Sequence, residues 1–338
     1  GFLLVPKFFT EEELEPCKKS IEDQVDILAQ KLYDGGKIKN LYKQHGLFNR
    51  LTHIEDEFPG ANIILHKTRK ISAAFQNLWS NERLLNVVEQ LIGPEIMGHP
   101  VWNLRTKTPQ SEATTVPWHQ DSVYLDNDSY NVLQATAWIP FLDTNEQNGC
   151  MEVIFVDLLH RLSLICFQVI SGGHLAGEIV RHTCCWGDTW YIETDIKDAE
   201  EKLNVDFVTD KVLCPVPYGG MLLINNMIPH RSLNNVSDDI RWSVDLRWQN
   251  PEKAIGFYGI KDGILMRSEK NPLKEIDWDT FNSVDRYKGA VKESTGDVKE
   301  DPFDTVNVGP WMLKWEITHP NRHTAKLSSK LKADWNMA

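Results

Sequence analysis

The sequence predicts a mainly β protein with flanking helices, and three features of its 338 residues indicate this class. A helical pattern occupies the first part of the chain, and short strand-like runs separated by turn residues follow from residue 97 onward. One of these runs alternates strictly between apolar and polar side chains. A strand with one apolar and one charged face suits a barrel wall between a helical layer and a polar cavity.

We expect a single domain spanning residues 1–338, because β-barrel enzymes with helical additions reach this length as one unit. The predicted organisation is a helical N-terminal layer over 1–95, a barrel core over 96–250 and a C-terminal extension over 251–338. Trp311 and Trp315 indicate that this extension docks back on the barrel.

Two helices are predicted in the N-terminal layer. Thr10, followed by three glutamates ending at Glu13, forms a capping-box pattern, in which the two side chains satisfy free backbone N–H groups. Apolar residues then recur at helical spacing: Leu14, Cys17, Ile21, Val25 and Leu28. The second helix is expected to begin at Ser80 and to end before Gly93. Its apolar residues are Leu84, Leu85, Val88 and Leu91.

Three runs in the barrel region predict strands, over 134–141, 219–225 and 240–248. The third shows the clearest alternation. Its apolar face consists of Ile240, Trp242, Val244, Leu246 and Trp248. Its polar face consists of Arg241, Ser243, Asp245 and Arg247. We expect the apolar face to pack on the helices and the polar face to line the cavity.

The acidic composition restricts the possible partners. A formal net charge of −12 argues against nucleic-acid binding, which depends largely on clustered Lys and Arg. The basic run from His66 to Lys70 is expected to be a solvated face, with docking of an anionic substrate tail as the alternative. No apolar stretch is long enough to predict a membrane span. A small-molecule substrate is the expected partner, and the oligomeric state stays open.

Cysteine usage predicts an intracellular, cytoplasmic setting. The six cysteines form no CxxC pair and no disulfide framework, and the vicinal Cys184-Cys185 pair is expected to pack in the core. Ser329-Lys330-Leu331 resembles a peroxisomal signal but is not C-terminal. The chain opens with Gly1, so a targeting segment could precede it.

Three residues predict a metal centre. On a strand, His119 and Asp121 would point to the same side, and His230 supplies a third ligand. Two histidines and one carboxylate on one face of a metal ion are typical of non-haem Fe(II) oxygenases. The triplet His53-Ile54-Glu55 also matches the His-x-acid pattern. It lies in a polar stretch without a strand pattern and is the weaker candidate.

A co-substrate anchor is predicted on the strand that follows His230. Arg241 lies on the polar face, where a guanidinium can pair in bidentate fashion with the distal carboxylate of 2-oxoglutarate. Ser232 is positioned to add a hydroxyl group to the same carboxylate. The alternative is structural, with Arg241 acting as an internal salt-bridge partner of Asp245.

The chain resembles the phytanoyl-CoA dioxygenase family of Fe(II)/2-oxoglutarate oxygenases from Gly1 to about Asn250. The motifs that carry the resemblance are Trp118-His119-Gln120-Asp121, Ala137-Trp138-Ile139-Pro140-Phe141, Asn148-Gly149-Cys150-Met151-Glu152-Val153-Ile154, Ser171-Gly172-Gly173-His174 and Pro229-His230-Arg231-Ser232 with Arg241. The resemblance implies a double-stranded β-helix, a jelly-roll or cupin-like barrel. It implies His119, Asp121 and His230 as Fe(II) ligands, and Arg241, Ser232, Lys107 and Trp138 around the co-substrate.

The resemblance also implies the reaction, a hydroxylation with 2-oxoglutarate and O2 as co-substrates. Related halogenases lack the carboxylate ligand, so Asp121 favours a hydroxylase. Aromatic residues near the motifs are candidates for the substrate pocket: Trp102, Trp118, Tyr124 and Tyr130. They predict a small, apolar substrate, such as a lipid, an acyl compound or a secondary metabolite.

One departure from the family pattern lies between Ile154 and Ser171. In the family the two flanking motifs adjoin, whereas here the mostly apolar segment 155–170 separates them. Inserted functional loops are usually polar. We therefore interpret the segment as a gene-model artefact or splice variant, with a hydrophobic lid as the alternative. If the segment is present, the alternative function is a catalytically silent ligand- or metal-binding member of the family.

Overall fold

A computed structural model describes residues 1–154, 178–296 and 301–327. The segment 155–170 and the motif Ser171-Gly172-Gly173-His174 lie outside the described residues, as does Ser329-Lys330-Leu331. The helices are α1 (Glu11–Asp34), α2 (Arg50–Glu57), α3 (Ala61–His66), α4 (Ala73–Trp79), α5 (Glu82–Ile92), α6 (Ile196–Leu203), α7 (Trp278–Ser283) and α8 (Arg286–Thr295).

The first predicted helix is confirmed as α1. The Thr10 backbone N–H donates to Glu13 Oε2 at 2.9 Å, and the capping box is complete. The five apolar positions of the predicted stripe are all buried against the other N-terminal helices. Helix α5 begins later than predicted, because Asn81 caps it by accepting from the Leu84 N–H at 3.2 Å. Leu91, expected on the apolar face, is 49% exposed, so the buried face ends one turn earlier.

The strands are β1 (Phe2–Val5), β2 (Ile96–Gly98), β3 (Asn103–Lys107), β4 (Ala135–Pro140), β5 (Met151–Ile154), β6 (His182–Cys184), β7 (Ile192–Thr194), β8 (Lys211–Cys214), β9 (Met221–Asn225), β10 (His230–Ser232), β11 (Arg241–Gln249), β12 (Ile264–Arg267) and β13 (Glu316–Ile317). The three strands predicted from the sequence correspond to β4, β9 and β11.

Within the described residues these strands form three sheets. The largest is antiparallel, in the order β1-β9-β4-β11-β2-β12, and β3 also pairs with β11. A second antiparallel sheet has the order β10-β5-β8, and a third has the order β13-β6-β7. The predicted mainly β class with flanking helices is therefore confirmed, and its sheets are mostly antiparallel.

Strand β11 separates the core from a polar cavity, as its alternation predicted. All five apolar residues of its pattern lie in the main core cluster together with α1, α4 and α5. On the opposite face, Arg241, Asp245 and Arg247 line a cavity. The strand is long and fully buried because one face packs on helices and the other faces an enclosed polar space.

Strand register determines which functional residues become neighbours. Arg241 at the start of β11 lies opposite Lys107 of β3, and Asp245 lies opposite Trp138 of β4. On the second sheet, His230 of β10 lies opposite Val153 of β5. The register therefore places the predicted co-substrate residues and a predicted metal ligand around one space.

The C-terminal residues pack beside the predicted metal centre. Trp311 is buried in a second apolar cluster that includes Val123 and Leu125. The Trp315 indole N–H donates to the Val123 carbonyl at 3.1 Å. Cys184 and Cys185 are buried in the same cluster, as expected, but their sulfurs form a disulfide that the sequence did not predict. No helix among the described residues is long and apolar enough to cross a membrane.

Candidate active site

His119 and His230 are brought together by a single backbone bridge. The N–H of each residue donates to the carbonyl of the other at 3.0 Å, and the ring centroids lie 4.2 Å apart. The expectation that His119 and Asp121 alternate along one strand is wrong. After the bridge at His119, Asp121 begins a 3-10 turn that ends at Tyr124. The turn still directs the Asp121 carboxylate toward the imidazoles, with Oδ1 3.6 Å from His119 Nε2 and 3.9 Å from His230 Nε2.

The three residues form a buried donor set that could hold a metal ion, with all three ligand atoms within 4.8 Å of one another. His119 Nδ1 lies 2.9 Å from the Pro117 carbonyl, and His230 Nδ1 lies 2.9 Å from the Ile228 carbonyl. A carbonyl oxygen only accepts, so each Nδ1 carries the proton and each Nε2 lone pair is free for a metal. Burial, followed by the nearby His119, lowers the pKa of His230 to about 4, which favours the neutral, ligating form.

Arg247 orients the Asp121 carboxylate. Asp121 Oδ2 accepts from Arg247 Nη2 at 2.9 Å and Nε at 3.2 Å, and from the Thr136 hydroxyl at 3.4 Å. Burial opposes ionisation, but the Arg247 guanidinium outweighs it and holds the pKa of Asp121 well below its usual range. The carboxylate is therefore anionic, with Oδ1 facing the imidazoles. Two neutral nitrogens and one anionic oxygen in a buried site fit a divalent first-row metal.

The competing triplet at His53 does not form such a site. His53 lies on α2 and stacks on Tyr42, with ring centroids 5.7 Å apart. Glu55 accepts from the Asn62 N–H at 3.1 Å, and burial raises its pKa to about 7. Among the described residues, only His119, Asp121 and His230 form a group that could hold a metal ion.

A cavity opens beside the three donors, and we call it the first cavity. The predicted co-substrate residues all line it: Lys107, Trp138, Ser232 and Arg241. The Ser232 hydroxyl accepts from the Val116 N–H at 3.2 Å, which fixes the side chain. Arg241 is 2% exposed, and its guanidinium carbon lies 5.2 Å from the centre of the Trp138 ring.

Arg241 and Lys107 have no carboxylate partner among the described residues. Arg241 Nη1 donates to the Ser243 hydroxyl at 2.6 Å, but its Nε is buried without a hydrogen-bond partner. Lys107 Nζ lies 3.4 Å from the Thr115 hydroxyl. Burial lowers the pKa of Arg241 to about 10 and that of Lys107 well below its usual value. The structural alternative for Arg241 does not hold, since Asp245 pairs instead with Arg105 at 2.8 Å and Arg247 at 3.5 Å.

A second cavity, which Asp121 also lines, shares Arg105, Trp190, Tyr191 and Arg247 with the first. Of the four aromatic residues predicted for the substrate pocket, Tyr124 lines it. The Tyr124 ring lies 5.7 Å from the His119 ring. Tyr124 therefore borders both the donor set and the second cavity.

The other three aromatic candidates line neither cavity among the described residues. Trp118 precedes His119 and faces the opposite way, against Phe207 at 5.1 Å. Trp102 is buried beneath Arg286, whose guanidinium carbon lies 4.7 Å from its ring centre. Tyr130 lies beneath Lys314 Nζ at 3.9 Å. Each is therefore a packing residue next to the cavity walls rather than part of them.

Several cavity residues were not predicted. Arg105 lies two residues before Lys107 on β3 and therefore on the same face, so strand alternation could have indicated it. Arg286 and Tyr191 carry no such signal, because only tertiary packing brings them to the site. In the basic run, His66 lines both cavities and Lys67 Nζ donates to the Asp304 carbonyl at 3.0 Å. The prediction of a solvated face is thus wrong for these two residues, while Lys70 is exposed.

Two imidazoles and one carboxylate around one buried point are the donor set that non-haem Fe(II) oxygenases use, and the site resembles that class. Residues 1–155 match the family model described as Phytanoyl-CoA dioxygenase (PhyH). This match confirms, over these residues, the resemblance seen in the sequence. The match ends at the first residue of the segment 155–170. No curated protein sequence matches the chain.

Three solved structures align with this chain. The non-heme monooxygenase ThoJ in its apo form is 18% identical, with a TM-score of 0.51 over 81% of this chain and 83% of ThoJ. The epimerase SnoN in complex with Fe3+, alpha ketoglutarate and nogalamycin RO is 14% identical, with a TM-score of 0.44 over 82% and 90% of the two chains. EctD from S. alaskensis in its apoform is 15% identical, with a TM-score of 0.44 over 75% and 74%. The likeness to ThoJ concerns the fold.

Proposed function

We propose that this protein hydroxylates a small molecule, using Fe(II) held by His119, Asp121 and His230, with 2-oxoglutarate and O2 as co-substrates. The observation that carries the proposal is the buried donor set, whose three ligand atoms lie within 4.8 Å of one another on the wall of a cationic cavity. When bound, the iron and 2-oxoglutarate supply the oxidation that places one oxygen atom of O2 on the substrate and releases succinate and CO2.

The first cavity suits the co-substrate in charge. Arg241 presents a buried, unpartnered Nε, and Lys107 adds a second basic group that has no counter-charge among the described residues. A dicarboxylate would supply the negative charge that Arg241 and Lys107 both lack. A guanidinium binds a carboxylate through paired hydrogen bonds. We propose that Arg241 and Ser232 bind the distal carboxylate, and that Lys107 and Trp138 complete this end of the cavity.

The residues around the metal donors fix the tautomer of the imidazoles and the charge of the carboxylate. The Pro117 and Ile228 carbonyls keep the imidazoles in the tautomer that ligates through Nε2. Arg247 holds Asp121 as an anion and occupies its second oxygen, so that one oxygen is left for the metal. Asp121 itself favours hydroxylation over halogen transfer, because it occupies the position a halide would need.

The substrate is proposed to enter the second cavity, beside Tyr124. The apolar part of its wall consists of Val101, Leu125, Phe257, Ala290 and Trp311. This surface supports the expectation of an apolar substrate body. Tyr124 is held in place by its hydroxyl, which accepts from the Ile192 N–H at 3.1 Å.

We also propose that the antiparallel sheets belong to one double-stranded β-helix. The sheets with the orders β1-β9-β4-β11-β2-β12 and β10-β5-β8 both contribute residues to the first cavity, which supports this arrangement. The proposed domain spans 1–338, with the helical layer over 1–95, the barrel core over 96–250 and the C-terminal extension over 251–338.

The test is Fe(II)-dependent conversion of 2-oxoglutarate to succinate by the purified chain without added substrate. We expect slow turnover that is lost in His119→Ala and Asp121→Ala, and no turnover with Zn(II) in place of Fe(II). His53→Ala, which changes the competing triplet, is the matched control and should keep full turnover. Absence of both turnover and 2-oxoglutarate binding would contradict the proposal.

The segment 155–170 is tested in the same assay, because it follows β5, which pairs with His230. A chain lacking the segment is compared with the full chain. If only the shortened chain converts 2-oxoglutarate, the full chain is the catalytically silent form, and the transcript should be sequenced for the segment. Equal turnover in both chains would contradict the silent form.

A further inference from the structure

The second cavity contains an unbalanced positive charge. Its charged wall residues are Arg105, Arg247, Arg286 and Asp121. Arg247 pairs with Asp121 at 2.9 Å, and Arg105 pairs with Asp245 at 2.8 Å. Arg286 has no carboxylate within ion-pair distance among the described residues, although it is only 4% exposed. A buried guanidinium stays charged and is costly to bury without a counter-ion.

Arg286 is held rigidly but is not saturated. Its Nη1 donates to the Pro100 carbonyl at 2.9 Å and its Nη2 to the Tyr287 hydroxyl at 3.0 Å. The Trp102 ring supports it at 4.7 Å. Nε is buried without a hydrogen-bond partner. Neutral acceptors and stacking explain the position of the guanidinium, but they leave its charge uncompensated and its Nε donor unused.

The two histidines of this cavity do not change its net charge. The His99 ring is fixed between two backbone groups, since Nδ1 accepts from the Val101 N–H at 3.2 Å and Nε2 lies 2.9 Å from the Ile255 carbonyl. Burial lowers the pKa of both His99 and His66 to about 3, so both rings are neutral. The cavity therefore offers one uncompensated cation beside an apolar wall.

We propose that Arg286 binds an anionic group of the substrate, so that the substrate is a small carboxylate with an apolar body. This inference rests on the proposed function, because it takes the second cavity as the substrate site. The apolar body contacts the wall formed by Leu125, Phe257 and Trp311, and the carboxylate takes the free Nε donor of Arg286. The contact between its carboxylate and Arg286 thus orients the substrate in the cavity.

The test compares acids with their uncharged amides. The full chain is loaded with Fe(II) and saturating 2-oxoglutarate without oxygen, so that the first cavity is filled. Phenylacetate, phenylacetamide, hexanoate and hexanamide are then titrated by calorimetry. We expect at least one acid to bind at least about tenfold more tightly than its amide, as a charge-assisted hydrogen bond to a desolvated guanidinium predicts.

Arg286→Gln should abolish the difference between acid and amide. Arg69→Gln is the matched control, because Arg69 pairs with Asp285 next to Arg286 at 3.0 Å but lines neither cavity. If Arg286→Gln does not fold, Arg286→Lys keeps the charge without the planar donors and should reduce the preference. Acid and amide binding equally, no acid binding at millimolar concentration, or a preference that survives Arg286→Gln would overturn the proposal.

A failure of the Arg286 proposal can be distinguished from a failure of the proposed oxygenase function. Binding of 2-oxoglutarate is measured in its own titration, and its absence contradicts the oxygenase proposal alone. An acid that displaces 2-oxoglutarate has entered the first cavity, which contradicts the role of Arg286.

Discussion

Arg247 Nη2 lies 2.9 Å from Asp121 Oδ2, and this ion pair turns the other carboxylate oxygen toward the two imidazoles. Both side chains are buried. Arg247 lies on β11, far along the chain from Asp121, and also donates to the Val101 carbonyl at 3.2 Å. The long strand of the main sheet therefore positions a ligand that lies in a turn.

The first prediction concerns this ion pair. Arg247→Leu should weaken metal affinity about 10- to 100-fold, because loss of a group that orients a ligand has effects of this size. Fe(II) or Co(II) titration of the purified chain measures it. Arg267→Leu is the control, since Arg267 is also buried but pairs with Glu89 away from the cavities. Unchanged metal affinity in Arg247→Leu would show that Asp121 needs no orienting partner.

The second prediction separates co-substrate binding from metal binding. Arg241→Gln should raise the Kd for 2-oxoglutarate about tenfold or more, because it removes the charge-assisted hydrogen bonds to the distal carboxylate. Metal affinity should stay the same. Arg231→Gln is the control, because Arg231 neighbours His230 but pairs with Glu152 at 2.7 Å and lies outside the first cavity. Equal 2-oxoglutarate affinity in the two variants would contradict the assignment.

The third prediction concerns Gly149, which has a φ of +81°. A Cβ there would lie 2.5 Å from the Leu233 carbonyl oxygen and 2.6 Å from Lys107 Cδ. Gly149→Ala should therefore lower the free energy of unfolding by about 1–3 kcal/mol. It should also weaken 2-oxoglutarate binding by displacing Lys107.

Gly187→Ala is the matched control for Gly149, because it has a φ of +51° but no atom within 4 Å of the added Cβ. Gly187→Ala measures the change in the free energy of unfolding that comes from the positive φ alone. Chemical denaturation and 2-oxoglutarate titration of both variants give the comparison. A 2-oxoglutarate affinity equally affected in both variants would contradict the role of the Lys107 contact.

The fourth prediction concerns acid stability. Burial lowers the pKa of His182 from 6.5 to about 3, although the hydrogen bond between its Nδ1 and the Val180 carbonyl opposes the shift. Its Nε2 lies 3.0 Å from the Thr194 hydroxyl. The folded pKa lies below the unfolded one, so the unfolded state binds the proton first. Stability is fully present above pH 6.5 and falls as the pH decreases toward about 3. The slope from one such group is at most about 1.4 kcal/mol per pH unit.

His182→Gln should make the free energy of unfolding less dependent on pH across this window. Urea denaturation at a series of pH values measures the slope. The exposed His319 serves as the control, and His319→Gln should leave the slope as it is in the unsubstituted chain. An unchanged slope in His182→Gln would mean that its ring is protonated in the folded state.

The sequence by itself determined the local elements and the chemical identity of the donors. Periodicity predicted α1 and β11, because burial of one face imposes a repeat that can be read without the fold. His119, Asp121, His230 and Arg241 carried recognisable chemistry in recognisable contexts. Their spacing predicted the class of site even though the assumed strand at Asp121 proved to be a turn.

Only the tertiary structure decided how the donors are oriented and what surrounds them. The choice of Asp121 oxygen depends on Arg247, and the cavity charge depends on Arg105 and Arg286, which come from β3 and α8. The sequence also could not predict that Trp102, Trp118 and Tyr130 pack outside the two cavities. Contacts between distant segments follow from register and packing, and a linear pattern shows which residues can bind but not which space they face.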